Sequence, residues 1–382
     1  MIGRRWQFGL AVIVWVGVVP TSHSAEQPAQ SKKPQQYEFD NIRIPGATVD
    51  EPFRAKFSLR HALDYIDQGA VAWSKEHACV SCHTTGVYLV SRPSLTPKVG
   101  APPTEMRAFF VRQLEAIKAT DLSQLRTGSG PTQTAYIAAG LAEWDAHVTK
   151  ELSPETDEGL QLMFQLQSEV GSYANENCWP PLESSAYHGA TVAVMAAATA
   201  PGWVDAQQSK SLLAKIEALK NYLRTTPPPH DYGRLLLLWA STRMPGLIDK
   251  QRQQDIIKMI WKHQRPDCGW SLRTFAAPEE WGDGSRADKL REESEVENPP
   301  SDGHQTGLAV LVLREAGVPA NHWRIRRAVR WLLANQRASG RWWTRSLNTE
   351  EYHFITFSGT CYPLLALYRC DALPVSRDCC AE

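Results

Sequence analysis

Cys79-Val80-Ser81-Cys82-His83 is the segment of this chain with the sharpest chemistry. Two thiols separated by two residues can add to the two vinyl groups of one haem. The histidine that follows can bring an imidazole nitrogen to the iron. The same spacing also suits a Cys79–Cys82 disulfide or redox pair, or part of a metal site. Covalent haem c is the leading expectation, with Cys79 and Cys82 as attachment points and His83 as the axial ligand. The iron then needs a second axial ligand or an open position. His188 and His304 are the first candidates for a bis-His centre, and Met106 and Met195 are thioether alternatives that raise the potential. An open position suits peroxide or oxygen chemistry.

Other segments say where such a motif must sit. Arg4 and Arg5 precede an apolar run from Gly9 to Val19, of signal-peptide length and short for a membrane span. Residues 1–25 are therefore expected to direct export, placing the mature chain in the periplasm or outside the cell, where covalent haem attachment occurs. No later segment is apolar enough to span a bilayer. The 382 residues carry 41 basic and 41 acidic side chains, and removing Arg4 and Arg5 leaves about two negative charges net. No basic surplus points to nucleic acid. Residues 26–50 are rich in Gln, Pro and Lys and are expected to be a flexible leader. Among the eight cysteines, Cys370 and the Cys379-Cys380 pair crowd the C-terminus, where a bridge is expected.

From residue 51 to 382 a repeat organises the chain. An amphipathic helix is followed by a loop containing Gly, Trp or Cys, and then by a helix richer in Ala, Leu and small residues. The amphipathic members are expected near 58–76, 105–119, 153–167, 208–223, 250–264 and 322–336. Leu212, Leu213, Ile216, Leu219 and Leu223 mark one such face, and Ser153-Pro154 reads as an N-cap with proline at the first helical position. The apolar members are expected near 83–94, 132–145, 186–199, 231–243, 303–315 and 355–368. Six such hairpins can close into an (α/α)6 toroid, an all-α fold with the apolar helices as its inner barrel. An acid-rich insertion at about 276–300 reads as a solvated loop over one face.

Inner helices running in one direction share a rim at their N-terminal ends. Those ends carry Gln133-Thr134 with Tyr136, Tyr187-His188, His230-Asp231-Tyr232, Asp302 with His304, and Tyr352-His353. His188, Asp231, Asp302 and His304 are thus candidates for acid–base or polar contacts. Each also has a plainer role: Asp302 and Asp231 as N-caps, the histidines as hydrogen-bonding groups, and Tyr187 and Tyr232 as packing residues. Glu183 can be a general acid, but it reads more simply as a surface carboxylate. Cys82, at a helix N-terminus, is expected to be more reactive than an ordinary thiol.

The segments Trp331-Leu332-Leu333-Ala334-Asn335-Gln336 … Gly340-Arg341-Trp342-Trp343 and Trp261-Lys262-His263-Gln264 … Cys268-Gly269-Trp270 resemble the Gln/Trp repeat of squalene cyclases. Asp302-Gly303-His304-Gln305-Thr306-Gly307-Leu308-Ala309-Val310 and Tyr362-Pro363-Leu364-Leu365-Ala366-Leu367 resemble inner helices of the same superfamily. The resemblance, to the terpene cyclase and protein prenyltransferase α/α-toroids, covers nearly the whole of residues 51–382 and implies the fold. It does not extend to either activity. The Asp-x-Asp-Asp acid of squalene–hopene cyclases is absent, there is room for one toroid rather than two, and no clean Asp, Cys and His zinc set is present.

Two functions remain open. One is an exported haem protein with an electron-transfer or oxidative role at the rim and a periplasmic redox partner. The other is a non-haem protein or enzyme for an apolar isoprenoid-type ligand, with 14 tryptophans to line its cavity and a structural Cys79–Cys82 bridge.

Overall fold

A computed structural model describes residues 35–77, 79–177 and 179–374 of the chain. The expected signal segment, Cys178 and the Cys379-Cys380 pair lie outside these residues. Helices form where the apolar spacing demands them. In chain order the hairpins are α1 (Leu59–Glu76) with α2 (Val87–Ser91), α3 (Thr104–Lys118) with α4 (Gly130–Trp144), and α5 (Pro154–Gln165) with α6 (Ala186–Thr199). They continue with α7 (Lys210–Thr225) and α8 (Asp231–Arg243), α9 (Lys250–Lys262) and α10 (Gly303–Glu315), and α11 (Trp323–Ala334) and α12 (Ile355–Arg369).

The second helix of each pair packs on the second helix of the next, and α12 returns to α2, so the inner layer closes. This is the all-α toroid expected from the repeat. Side-chain caps open many of the helices. Ser58, Ser153, Ser185, Ser209, Asp249 and Asp302 each accept from a backbone N–H at the third position into the helix. Each such cap contributes about 1 kcal/mol.

The Gln and Trp residues of the repeat are the mortar between layers. Gln336 Nε2 donates to the carbonyls of Ser58 (2.9 Å) and Gly340 (2.8 Å), tying the end of α11 to the start of α1. Trp342 Nε1 donates to Leu332 O at 2.8 Å, and Trp270 Nε1 repeats that bond to Ile260 O at 2.8 Å. Gln264 and Gln167 make the equivalent turn-closing bonds to Cys268 O (3.0 Å) and Gly171 O (3.2 Å).

Four features differ from the expectations. The first inner helix is broken: a π turn over Cys82–Gly86 precedes α2, and Pro93, lacking an N–H, begins a 3-10 turn. Within the expected leader, β1 (Gln35–Phe39) and β2 (Ile42–Pro45) form an antiparallel hairpin. Tyr37 buries its ring among Tyr65, Trp73, Phe354 and Phe357, and that apolar contact is what orders the segment. The insertion is folded too, with Trp281 buried against His230 and Tyr232 at centroid distances of 4.8 and 5.7 Å. Glu293 in the same segment is buried and paired with Arg273.

Lastly, the axis of the ring is filled. Tyr136, His188, Tyr232, His304, Trp239 and Tyr362 interlock there, and the internal space beside His188 and Trp239 is about 20 Å³. Among the described residues no helix is long and apolar enough to cross a membrane.

Candidate functional site

The α1–α2 connection carries the Cys-x-x-Cys-His segment to the rim. Trp73 Nε1, from α1, donates to Cys79 O at 3.1 Å, and Gly86 N donates to Ser81 O at 2.8 Å, which fixes the turn. Glycine is required at 86: a Cβ there would lie 2.8 Å from Tyr136 Cδ1 and 2.9 Å from Ser81 O. Cys79, Cys82 and His83 line one cleft of about 590 Å³, within the 300–1,000 Å³ usual for small-molecule sites. Cys79 carries a free thiol, and burial pushes its pKa up.

His83 is held on three sides. Its ring lies edge-on to Trp73 at 4.7 Å and stacks on Phe354 at 4.9 Å. Its Nδ1 is 2.9 Å from Thr84 Oγ1, which is 2.9 Å from the Tyr37 hydroxyl. Burial, with His77 nearby, lowers its pKa to about 4, so the imidazole is neutral at physiological pH. When Nδ1 carries the proton and donates to Thr84, the Nε2 lone pair is left for the cleft.

The rest of the cleft is lined from the first two turns of α4 (Thr132, Gln133 and Tyr136), the 179–183 loop and the 346–349 loop. Asn348 Nδ2 donates to Pro180 O at 2.7 Å and ties those two loops together. Glu183 is not the surface carboxylate expected: it is 6% exposed and its Oε1 has no partner. Burial, and secondarily Glu176, push its pKa up to about 7 against a hydrogen bond from Thr132. The remaining wall is apolar: Trp73, Val80, Trp179, Leu182, Phe354 and Ile355.

The other rim candidates do not join this cleft. His188 lies behind Tyr136, whose hydroxyl is 3.0 Å from its Nε2. His304 is fully buried, with Nε2 3.1 Å from the Tyr232 hydroxyl and Nδ1 2.8 Å from Ser358 Oγ. Burial lowers both imidazoles to about 3. Met195 faces the filled axis and Met106 is buried on α3, so among the described residues lining the cleft His83 is the one His or Met.

Asp302 caps α10, its oxygens accepting from Gln305 N (2.9 Å) and Leu272 N (2.6 Å), and burial raises its pKa to about 6. It edges a separate, more polar cleft of about 500 Å³ with Arg273, Arg345 and His353. Asp231 is not the cap of α8. His230 fills that position, its Nδ1 accepting from Gly233 N at 3.1 Å. Asp231 instead bonds His263 (2.7 Å) and Arg234 (2.9 Å), outside either cleft. Tyr187 turns outward and donates to Leu223 O at 3.1 Å. No cluster of three or more His, Cys, Asp or Glu converges as a metal site among the described residues.

No protein-family profile matches the chain, and no curated protein sequence does. Among solved structures it is similar to a variant of the type II terpene cyclase MstE from Scytonema, in complex with geranylgeranyl dihydroxybenzoate. There the TM-score is 0.44 at 12% identity, over 82% of this chain and 98% of that one. The apo form of MstE gives 0.43 at 12% identity over 80% and 98%. A wild-type glycosidase gives 0.40 at 13% identity, over 86% of this chain and 92% of that one. The fold assignment rests on the closed ring itself.

Proposed function

We propose that this chain is an exported toroid that carries a covalent c-type haem in its rim cleft and performs oxidative or electron-transfer chemistry there, with a periplasmic redox partner. The observation that carries the reading is that Cys79, Cys82 and His83 all line one cleft of suitable size. Cys79 and Cys82 would be the thiols that hold the haem through its two vinyl groups. His83 provides a neutral imidazole, positioned by Trp73, Phe354 and the Thr84–Tyr37 hydroxyl pair. A haem held this way supplies one-electron chemistry. Among the described residues lining the cleft, Cys79, Cys82 and His83 are the ones that would hold the group; His188 and His304 do not line it.

Denaturing electrophoresis with haem staining tests the proposal in a host that matures c-type cytochromes. Stain that stays with the wild-type chain, weakens in Cys82→Ala and is lost in the Cys79→Ala/Cys82→Ala double variant supports it. Wild type without stain, beside a stained control cytochrome, overturns it.

A second reading has its own support. The wall made by Trp73, Val80, Trp179, Leu182, Phe354 and Ile355 suits an apolar, isoprenoid-type ligand. Because the ring axis is filled, that ligand would sit in the same rim cleft. Protection of Trp fluorescence by a long-chain isoprenoid in colourless protein would favour it.

A further inference from the structure

Glu183 lines the same cleft as the motif with its side chain buried, and its fold role does not explain it. Asp302 offers the contrast. It is equally buried, but both of its oxygens accept backbone N–H groups and close a helix. Glu183 closes nothing with its side chain. Its backbone pairs with Trp179 in a short bridge, while its carboxyl receives a hydrogen bond from Thr132 and leaves Oε1 without a partner. Among the described residues, no Lys or Arg lines the cleft to neutralise it. Arg286 lies over the Trp179 ring at 5.9 Å and does not line the cleft. Burying an unpaired carboxyl is costly, and a fold gains nothing from it unless the group has something to meet.

We infer that Glu183 is the proton-transfer residue of the rim cleft, acting on a small molecule that presents an oxygen to it. The inference deepens the proposed function by assigning a role to a further residue of the cleft that Cys82 and His83 line, and relies on that reading only for the use of the cleft. The step balances without a further reactant. The carboxyl O–H bond breaks, the proton passes to the ligand oxygen, and the carboxylate left behind keeps the Thr132 hydrogen bond. Water at the cleft mouth returns the proton.

The groups that face Glu183 set its working range. Glu176 opposes ionisation and Thr132 favours it. Tyr136 and Cys82 share the cleft, and the Tyr136 hydroxyl is engaged by His188. Burial is the largest influence and pushes the carboxyl up to about 7, where a proton can be both given and taken near neutrality.

Infrared difference spectroscopy of the full chain, titrated from pH 5 to pH 9, tests the assignment without measuring turnover. Wild type should show the C=O band of a protonated carboxyl disappearing near pH 7. Glu183→Gln should lack that band while keeping the wild-type circular dichroism. Thr132→Val should move the same transition to higher pH, because the bond favouring ionisation is gone. Asp302, raised to about 6, contributes a separate band that both proteins share. A component lost near pH 7 that persists in Glu183→Gln, or a Glu183 transition in the ordinary range of pH 4–5, overturns the inference. The colour of the same samples reports on haem separately. A colourless protein with the Glu183 band loses the haem reading alone, and a red protein without the band loses this inference alone.

Discussion

Arg243 joins the C-terminal ends of the inner helices, and replacing it with Met should cost far more than a surface ion pair. From the end of α8 its guanidinium pairs with Glu143 of α4 and donates to Thr199 Oγ1 of α6 at 2.9 Å. It lies 3.9 Å from Glu315 of α10. Arg369 of α12 joins Glu315 at 3.2 Å, so five of the inner helices meet in one network. Glu143 is 1% exposed, and in Arg243→Met it is left buried with only His147, at 3.2 Å, to answer its charge.

Removing one member of a buried pair costs about 3–5 kcal/mol. The retained His147 contact places the value near the lower end, about 3 kcal/mol, or roughly a hundredfold in the folding equilibrium. The pH dependence follows from Glu143. Burial pushes its carboxyl up, but Arg243 and His147 outweigh this and hold it below its ordinary value. A depressed carboxyl stabilises the fold above its ordinary range and loses that contribution as pH falls. Without Arg243 burial wins, so the variant's deficit is largest at pH 8 and shrinks toward pH 5 as Glu143 takes up a proton. Urea unfolding of wild type, Arg243→Met and the double variant Glu143→Gln/Arg243→Met at both pH values measures this. A deficit under about 1 kcal/mol, the same deficit at both pH values, or a double variant no more stable than the single one would refute the reasoning.

Other outcomes follow from the same structure. Glu183→Gln should stabilise the protein at pH 8 and not at pH 4. The native carboxyl is raised from 4.5 to about 7, so the fold loses stability as pH rises through that window, by at most about 3 kcal/mol. Thermal melts at the two pH values read the difference. Gly86→Ala should cost about 1–3 kcal/mol, because its Cβ meets Tyr136 and the Ser81 carbonyl; the melting temperature checks it. Tyr37→Phe removes the hydroxyl beside Thr84 and should cost about 1 kcal/mol in urea unfolding, with the hairpin otherwise in place.

The ring was legible because local signals agreed with one another. Helix starts were written in caps such as Ser153 and Asp302, and the inner helices in runs such as Ala190–Met195. Failures came where distant contacts decide. The hairpin at 35–45 hides in a polar, Gln-rich stretch, although Tyr37, Ile42 and Ile44 flank a two-residue Asp40-Asn41 turn with Asp40 at φ 51°. What orders it is the aromatic cluster from α1 and α12, far away in sequence. Glu183 read as a surface residue because nothing nearby in the chain tells that the 346–349 loop closes over its wall. Asp231 followed the cap preference of its residue type, yet His230 has the extended backbone, with φ −163°, that a cap needs. The Cys79–His83 motif needed no distant contact to be seen, but Thr84 and Tyr37 behind His83 emerge only when the hairpin packs.

The most direct test of the central claim is the pyridine haemochrome spectrum of the denatured full chain, produced with its own N-terminus in a bacterium that matures c-type cytochromes. The account predicts a covalent haem signal of one haem per chain that shifts or weakens when either Cys79 or Cys82 is replaced by alanine and disappears when both are. A wild-type chain with no signal, in cells that load a control cytochrome, would contradict it.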